Sequence, residues 1–148
     1  SGDLLSGKAV GREGFLGFYD NLVTALPEGD YYEMFGWVKP FRLKKFSSSR
    51  TYFSWLMPRK KYNMDTNTNG GERAFVLSDV YDKVLPMDIY PLYLFKAILA
   101  DDIEKMENLG IYEIIEEDVA LCEFVCPSKI EIQSIVSRGI ELMINEMS

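Results

Sequence analysis

The sequence predicts an α+β chain, with a small β-rich N-terminal half over residues 1–85 and an all-α, four-helix half over residues 86–148. Three observations carry this expectation. Before residue 42, glycines at 7, 11, 14, 17, 29 and 36, with Pro27 and Pro40, interrupt every apolar-periodic window and discourage long helices. After residue 86, apolar residues recur at helical spacing between capping signals. Charge divides the same way: residues 1–70 hold 10 Lys/Arg against 7 Asp/Glu, and residues 71–148 hold 6 against 16, within a net −7.

In the first half, short apolar runs predict strands over 4–10, 21–26 and 31–38, and over 74–84 after the turn signal Asn69-Gly70-Gly71. Residues 47–56 suit one short helix. In the second half, Asp88 is placed to cap a helix that tolerates Pro91 in its first turn and buries Leu92, Phe95 and Leu99. Asp101 and Glu104 open a second, short helix in which Ile103, Met106 and Leu109 share a face, and Gly110 suits the left-handed position that ends it. Ile115, Val119, Cys122 and Cys126 fall at i, i+4, i+7 and i+11 of a third helix that Pro127 stops, so both thiols face inward. Ser128 and Glu131 form a capping box before a fourth helix with a stripe of Ile132, Ile135, Val136, Gly139, Ile140, Met143 and Met147.

Composition narrows the chemistry. Histidine is absent, which removes Ser-His-Asp and Cys-His pairs, His general bases and His-liganded metals within these 148 residues. Two cysteines cannot make a four-thiolate site or a disulfide scaffold, so a reducing, cytoplasmic setting fits. Nothing resembles a signal peptide or an 18-residue apolar span, and the chain reads as an excised piece of a longer protein. Residues 2–8 follow a phosphate-loop pattern until Ala9 stands where a magnesium-binding hydroxyl is needed. The glycines never reach dinucleotide spacing. Asp101-Asp102 and Glu116-Glu117-Asp118 lie at helix starts, where the dipole favours carboxylates. Cys122-x-x-x-Cys126-Pro127 is the closing half of a ferredoxin-type run, but the two preceding ligand positions hold Glu116 and Val119. Buried thiols packed as small hydrophobes are therefore favoured, with a redox pair as the alternative.

Between Glu33 and Asp65 no acidic residue occurs, whereas Lys39, Arg42, Lys44, Lys45, Arg50, Arg59, Lys60 and Lys61 lie there among Trp37, Phe41, Phe46, Tyr52, Phe53 and Trp55. A solvated basic loop is the plain reading. Contact with an acidic protein face or an anionic membrane surface is the functional one. Nucleic acid is disfavoured, because the acidic half repels phosphate and no recognition module accompanies the stretch.

Ordered blocks along nearly the whole chain resemble a family. They are Phe15-Leu16-Gly17-Phe18-Tyr19-Asp20-Asn21, Phe35-Gly36-Trp37-Val38, Lys45-Phe46-Ser47 with Arg50-Thr51, Thr66 to Gly70, Arg73 to Val76, Leu85 to Ile89, Leu109-Gly110 and Glu116 to Pro127. The chain is similar to the C-terminal third of the A subunit of the bacterial Na+-translocating NADH:quinone oxidoreductases. Phe18, Asp20 and Leu77-Ser78 depart from the family pattern. The resemblance implies a peripheral subunit on the cytoplasmic side of the inner membrane, in a complex that uses NADH, flavins, iron-sulfur centres, ubiquinone and Na+. It implies that this fragment binds none of those cofactors itself. The related C subunit of the Rnf ion pumps carries an iron-sulfur segment, so Cys122 to Pro127 reads as its cluster-less remnant.

Three functions follow as expectations. The fragment docks the A subunit onto partner subunits or an anionic membrane surface through the basic stretch; or Trp37, Phe53, Trp55 and Met57 contribute to a quinone pocket; or Cys122 and Cys126 retain redox chemistry. No residue is assigned a catalytic role.

Overall fold

The computed structural model describes residues 1–39, 41–47, 50–75 and 79–148, with Trp37 described in its backbone alone. Two compact units emerge, one of residues 25–69 and one of residues 1–24 with 70–148. Among the described residues the second contains four α-helices: α1 (Pro91–Leu99), α2 (Ile103–Asn108), α3 (Ala120–Val125) and α4 (Ile132–Met147).

Their shared core is built from Leu92, Leu94, Phe95, Ala97 and Ile98 of α1, Met106 of α2, Cys122 of α3, and Ile132, Val136 and Met143 of α4. Tyr81, Leu85, Ile111, Ile114, Val119 and Cys126 complete it from turns and short 3-10 segments. Burial of these side chains is the principal stabilising term. Pro91 occupies the first position of α1, where a missing N–H costs nothing. α1 ends by sending the N–H of Asp102 to the carbonyl of Ala97 at 3.0 Å and that of Asp101 to Ile98 at 3.1 Å. That double bond needs a left-handed residue, and Asp101 supplies it at φ 52°. Gly110 takes the left-handed position after α2, at φ 88°, as its residue type predicts. Gly139 lets α4 lie against α1, since a Cβ there would stand 2.9 Å from Ile98 Cγ1.

Several caps differ from expectation. The residue before α1 is Tyr90, with no side-chain cap, so Asp88 does not cap it. Leu99 is exposed, because Leu94 and Ile98 rather than Leu99 face the core. Asp102, not Asp101, caps α2 by accepting the Lys105 N–H. The third helix begins as a 3-10 turn, Glu116–Val119, whose entry is tied by the Ile115 N–H donating to Asp118 at 3.0 Å. Ile115 is exposed at that entry. Ser128 donates instead to the Ala74 carbonyl at 3.0 Å, and the start of α4 is capped across space, with Gln133 N–H donating to Glu123 Oε2 of α3 at 3.0 Å. Met147 is exposed at the end of the stripe.

The β-rich half is corrected outright: no strand occurs among the described residues. The runs at 4–10 and 21–26 find no ladder partner. One bond reaches between distant residues, Gly2 N–H to the Leu22 carbonyl at 2.9 Å, without building a ladder, and the segment between the runs closes local turns, Gly14 N–H to Gly11 and Asp20 N–H to Gly17, at 2.9 and 3.0 Å. Residues 31–38 end in the 3-10 turn Gly36–Val38 after Phe35 adopts φ 55°. Within 74–84, residues 76–78 lie outside the described residues, and the Tyr81 carbonyl accepts from the Val84 and Leu85 N–H groups in a helical turn. The expected helix over 47–56 shrinks to the 3-10 turn Phe53–Leu56, because Arg50 sits at φ 57°, off any right-handed helical path; Ser48 and Ser49 lie outside the described residues.

Candidate functional site

Residues 25–69 carry eight Lys/Arg against four Asp/Glu, and most of their aromatic side chains face outward. Four of the eight cations organise the unit. Arg42 pairs with Glu33 at 2.7 Å and lies 5.6 Å from the Tyr52 ring centroid. The hydrogen bond from Arg42 holds the Glu33 carboxyl below the usual carboxylate range. Lys45 donates to the Tyr31 hydroxyl at 2.5 Å, and Tyr31 donates in turn to Asp65 at 2.7 Å, which pushes Lys45 up and Asp65 down. Lys60 donates to the Leu43 carbonyl at 2.6 Å. Arg50 lies 5.7 Å over the Trp55 ring. Lys44, Arg59 and Lys61 are exposed and make no ion pair among the described residues; Lys39 is exposed close to Glu33.

Of the four residues expected at a quinone pocket, Phe53, Trp55 and Met57 are exposed around the 3-10 turn Phe53–Leu56, with Phe53 packed edge-on to Phe41 at 5.5 Å. The side chain of Trp37 lies outside the described residues.

The thiols occupy the core of the other unit. Cys122 is fully buried beside Val119, and burial first, then Asp82 and Cys126, pushes its thiol up to about 11. Cys126 Sγ lies 3.1 Å from the hydroxyl of Tyr81, a fully buried ring stacked edge-on against Phe95 at 5.8 Å. Neither cysteine is in a disulfide. Glu116 reaches Lys8 at 3.2 Å. Among the described residues no three His, Cys, Asp or Glu side chains gather to hold a metal ion.

The Lys45–Tyr31–Asp65 relay and the Tyr81–Cys126 contact have no sequence signal, since each joins residues distant along the chain. A groove of about 670 Å3 between α1 and α2, lined among others by Tyr90, Tyr93, Lys96 and Leu109, was likewise not foreseen. No helix among the described residues is long and apolar enough to cross a membrane.

Fold and site define a class: a small helical domain with buried thiols, carried in one chain with a compact basic, aromatic-rich unit. No family model matches the chain. It is 43% identical over 141 residues to the A subunit of the Na(+)-translocating NADH-quinone reductase of Rhodopirellula baltica, covering 95% of this chain and 31% of that protein. The corresponding A subunits of Shewanella frigidimarina and Klebsiella pneumoniae are each 45% identical, over 130 and 132 residues, covering 87% and 88% of this chain. The chain thus spans about 30% of the length of these relatives. By sequence it belongs to the family of Na(+)-translocating NADH-quinone reductase A subunits, as its ordered sequence blocks suggest.

Proposed function

We propose that this chain is a docking and assembly module of the A subunit in a sodium-pumping NADH:quinone reductase, at the cytoplasmic face of the membrane. Electron transfer from NADH to ubiquinone and Na+ export belong to the assembled complex, whose flavins and iron-sulfur centres other subunits carry. The observation that supports the module is the surface of residues 39–61. Lys44, Arg59 and Lys61 are exposed without ion-pair partners among the described residues, in the same compact unit as exposed Phe41, Phe53 and Trp55. Unpaired cations next to aromatic side chains suit an acidic partner face, where charge steers encounter and the rings supply buried area. Lys39, Arg42, Lys45, Arg50 and Lys60 extend or brace this surface. The test is whether the full-length A subunit, with Lys44→Glu, Arg59→Glu and Lys61→Glu introduced together, still co-purifies with its partner subunits. The module predicts its loss from the complex, and unchanged stoichiometry would refute it.

The alternative is a quinone contact formed by Trp37, Phe53, Trp55 and Met57. Saturable quenching of Trp55 fluorescence by a soluble quinone would support it, and linear quenching would count against it.

A further inference from the structure

The 3-10 turn Phe53–Leu56 inverts the ordinary burial pattern. Its small polar residue, Ser54, is only 2% exposed, while Phe53, Trp55, Leu56 and Met57 around it are 41, 48, 61 and 44% exposed. The inversion is anchored: the Ser54 carbonyl accepts the Met57 N–H at 3.0 Å and the Tyr62 hydroxyl at 3.2 Å, which turns the apolar side chains outward. Cations flank this tip on both sides, Arg50 before it and Arg59, Lys60 and Lys61 after it. Lys60 is committed to the Leu43 carbonyl and Arg50 stacks over Trp55, whereas Arg59 and Lys61 are exposed and unpaired among the described residues. An exposed aromatic-aliphatic tip between cations matches the two layers of an anionic bilayer interface. Rings seat at the headgroup level and cations meet the lipid phosphates.

We infer that the loop of residues 50–61 inserts its apolar tip into the interface of an anionic membrane, with Arg59 and Lys61 on lipid phosphates. The inference rests on the reading that residues 39–61 dock, and it gives the loop of residues 50–61 a lipid occupant where that reading gives it an acidic partner face, so the vesicle and detergent assays decide between the two for Arg59 and Lys61. Charge complementarity carries the choice: the compact unit that presents the loop has twice as many cations as carboxylates.

The test uses the whole 148-residue chain with Trp37→Phe, so that Trp55 is its sole tryptophan. The probes are phosphatidylcholine vesicles with and without 30% phosphatidylglycerol, as a chosen test composition of roughly that anionic content. Co-sedimentation with the anionic vesicles, a blue shift of Trp55 emission and quenching by brominated acyl chains are expected. Arg59→Glu with Lys61→Glu should weaken binding by roughly tenfold or more, and Leu56→Ser with Met57→Ser, which keeps Trp55 as the reporter, should weaken binding and remove the quenching. Retained near-ultraviolet circular dichroism, to which the aromatic-rich unit of residues 25–69 contributes, checks that each variant is folded. No binding, or equal binding to the neutral vesicles, overturns the inference. Binding that survives both double substitutions also overturns it. Because docking onto partner subunits is read in detergent without vesicles, a failure here leaves that reading standing or falling by its own assay.

Discussion

The hydroxyl of Tyr81 lies 3.1 Å from Cys126 Sγ inside a core that excludes water from both groups. The contact joins the turn before α1 to the end of α3, and it places a polar atom pair where sequence periodicity foresees only packing. Burial of an unpaired hydroxyl costs about 1–3 kcal/mol, so the thiol is the partner that makes Tyr81 tolerable there.

Removing one side of this pair separates packing from bonding. Tyr81→Phe keeps the ring against Phe95 and should cost about 1 kcal/mol, whereas Tyr81→Ala should cost about 3–5 kcal/mol through cavity formation. Urea denaturation midpoints read both. Equal losses in the two variants would show that the ring contributes nothing beyond the hydroxyl.

Cys122 predicts an alkaline instability. Its thiol titrates near 11 when folded, against an ordinary value of 9.0, because burial disfavours the thiolate. Between these values the unfolded chain loses the proton first, so stability is full below pH 9 and falls as pH rises toward 11. The loss amounts to on the order of 3 kcal/mol. The slope of stability against pH in this window should be shallower in Cys122→Ala than in the parent. Iodoacetamide should label Cys122 only at the rate of unfolding.

Glu123 caps α4 from a neighbouring helix, so its effect should be larger than that of a solvent-exposed carboxylate. Glu123→Ala is expected to lower stability by about 1 kcal/mol and to raise amide exchange at Gln133. Ser128→Ala should leave that amide unaffected, since Ser128 bonds Ala74 instead.

Gly139 sits where α4 approaches α1, and the Cγ1, Cδ1 and Cγ2 atoms of Ile98 all lie within 3.1 Å of its missing Cβ. Alanine normally favours a helix over glycine by about 1 kcal/mol, yet Gly139→Ala should destabilise by about 1–3 kcal/mol through overpacking. Ile98→Val added to it should recover part of the loss. A thermal melt of the double-mutant cycle measures the coupling.

The helical core was legible because its signals are periodic and local: Ile132, Val136 and Met143 repeat on one face, Pro91 starts a helix and Gly110 ends one. The caps were less legible, since a carboxylate three residues away and one on another helix satisfy an amide equally well. Glu123 therefore takes the place expected of Ser128 without a sequence signal. The strands failed for a different reason. Apolar β-branched and aromatic residues favour a pleated, half-buried surface only where a second strand supplies it, and the glycine-spaced runs before residue 42 close turns instead. The basic-aromatic stretch was legible as composition, but not which cations are engaged. Lys45 and Lys60 are committed to Tyr31 and Leu43, whereas Lys44, Arg59 and Lys61 project.

The most direct test of the docking account is binding of this chain to detergent-solubilised complex that lacks its A subunit, followed as ionic strength rises. The account predicts saturable binding that weakens steeply with salt and is lost when Lys44, Arg59 and Lys61 are reversed to Glu. Binding indifferent to both salt and these reversals, or no binding at any ionic strength, would contradict it.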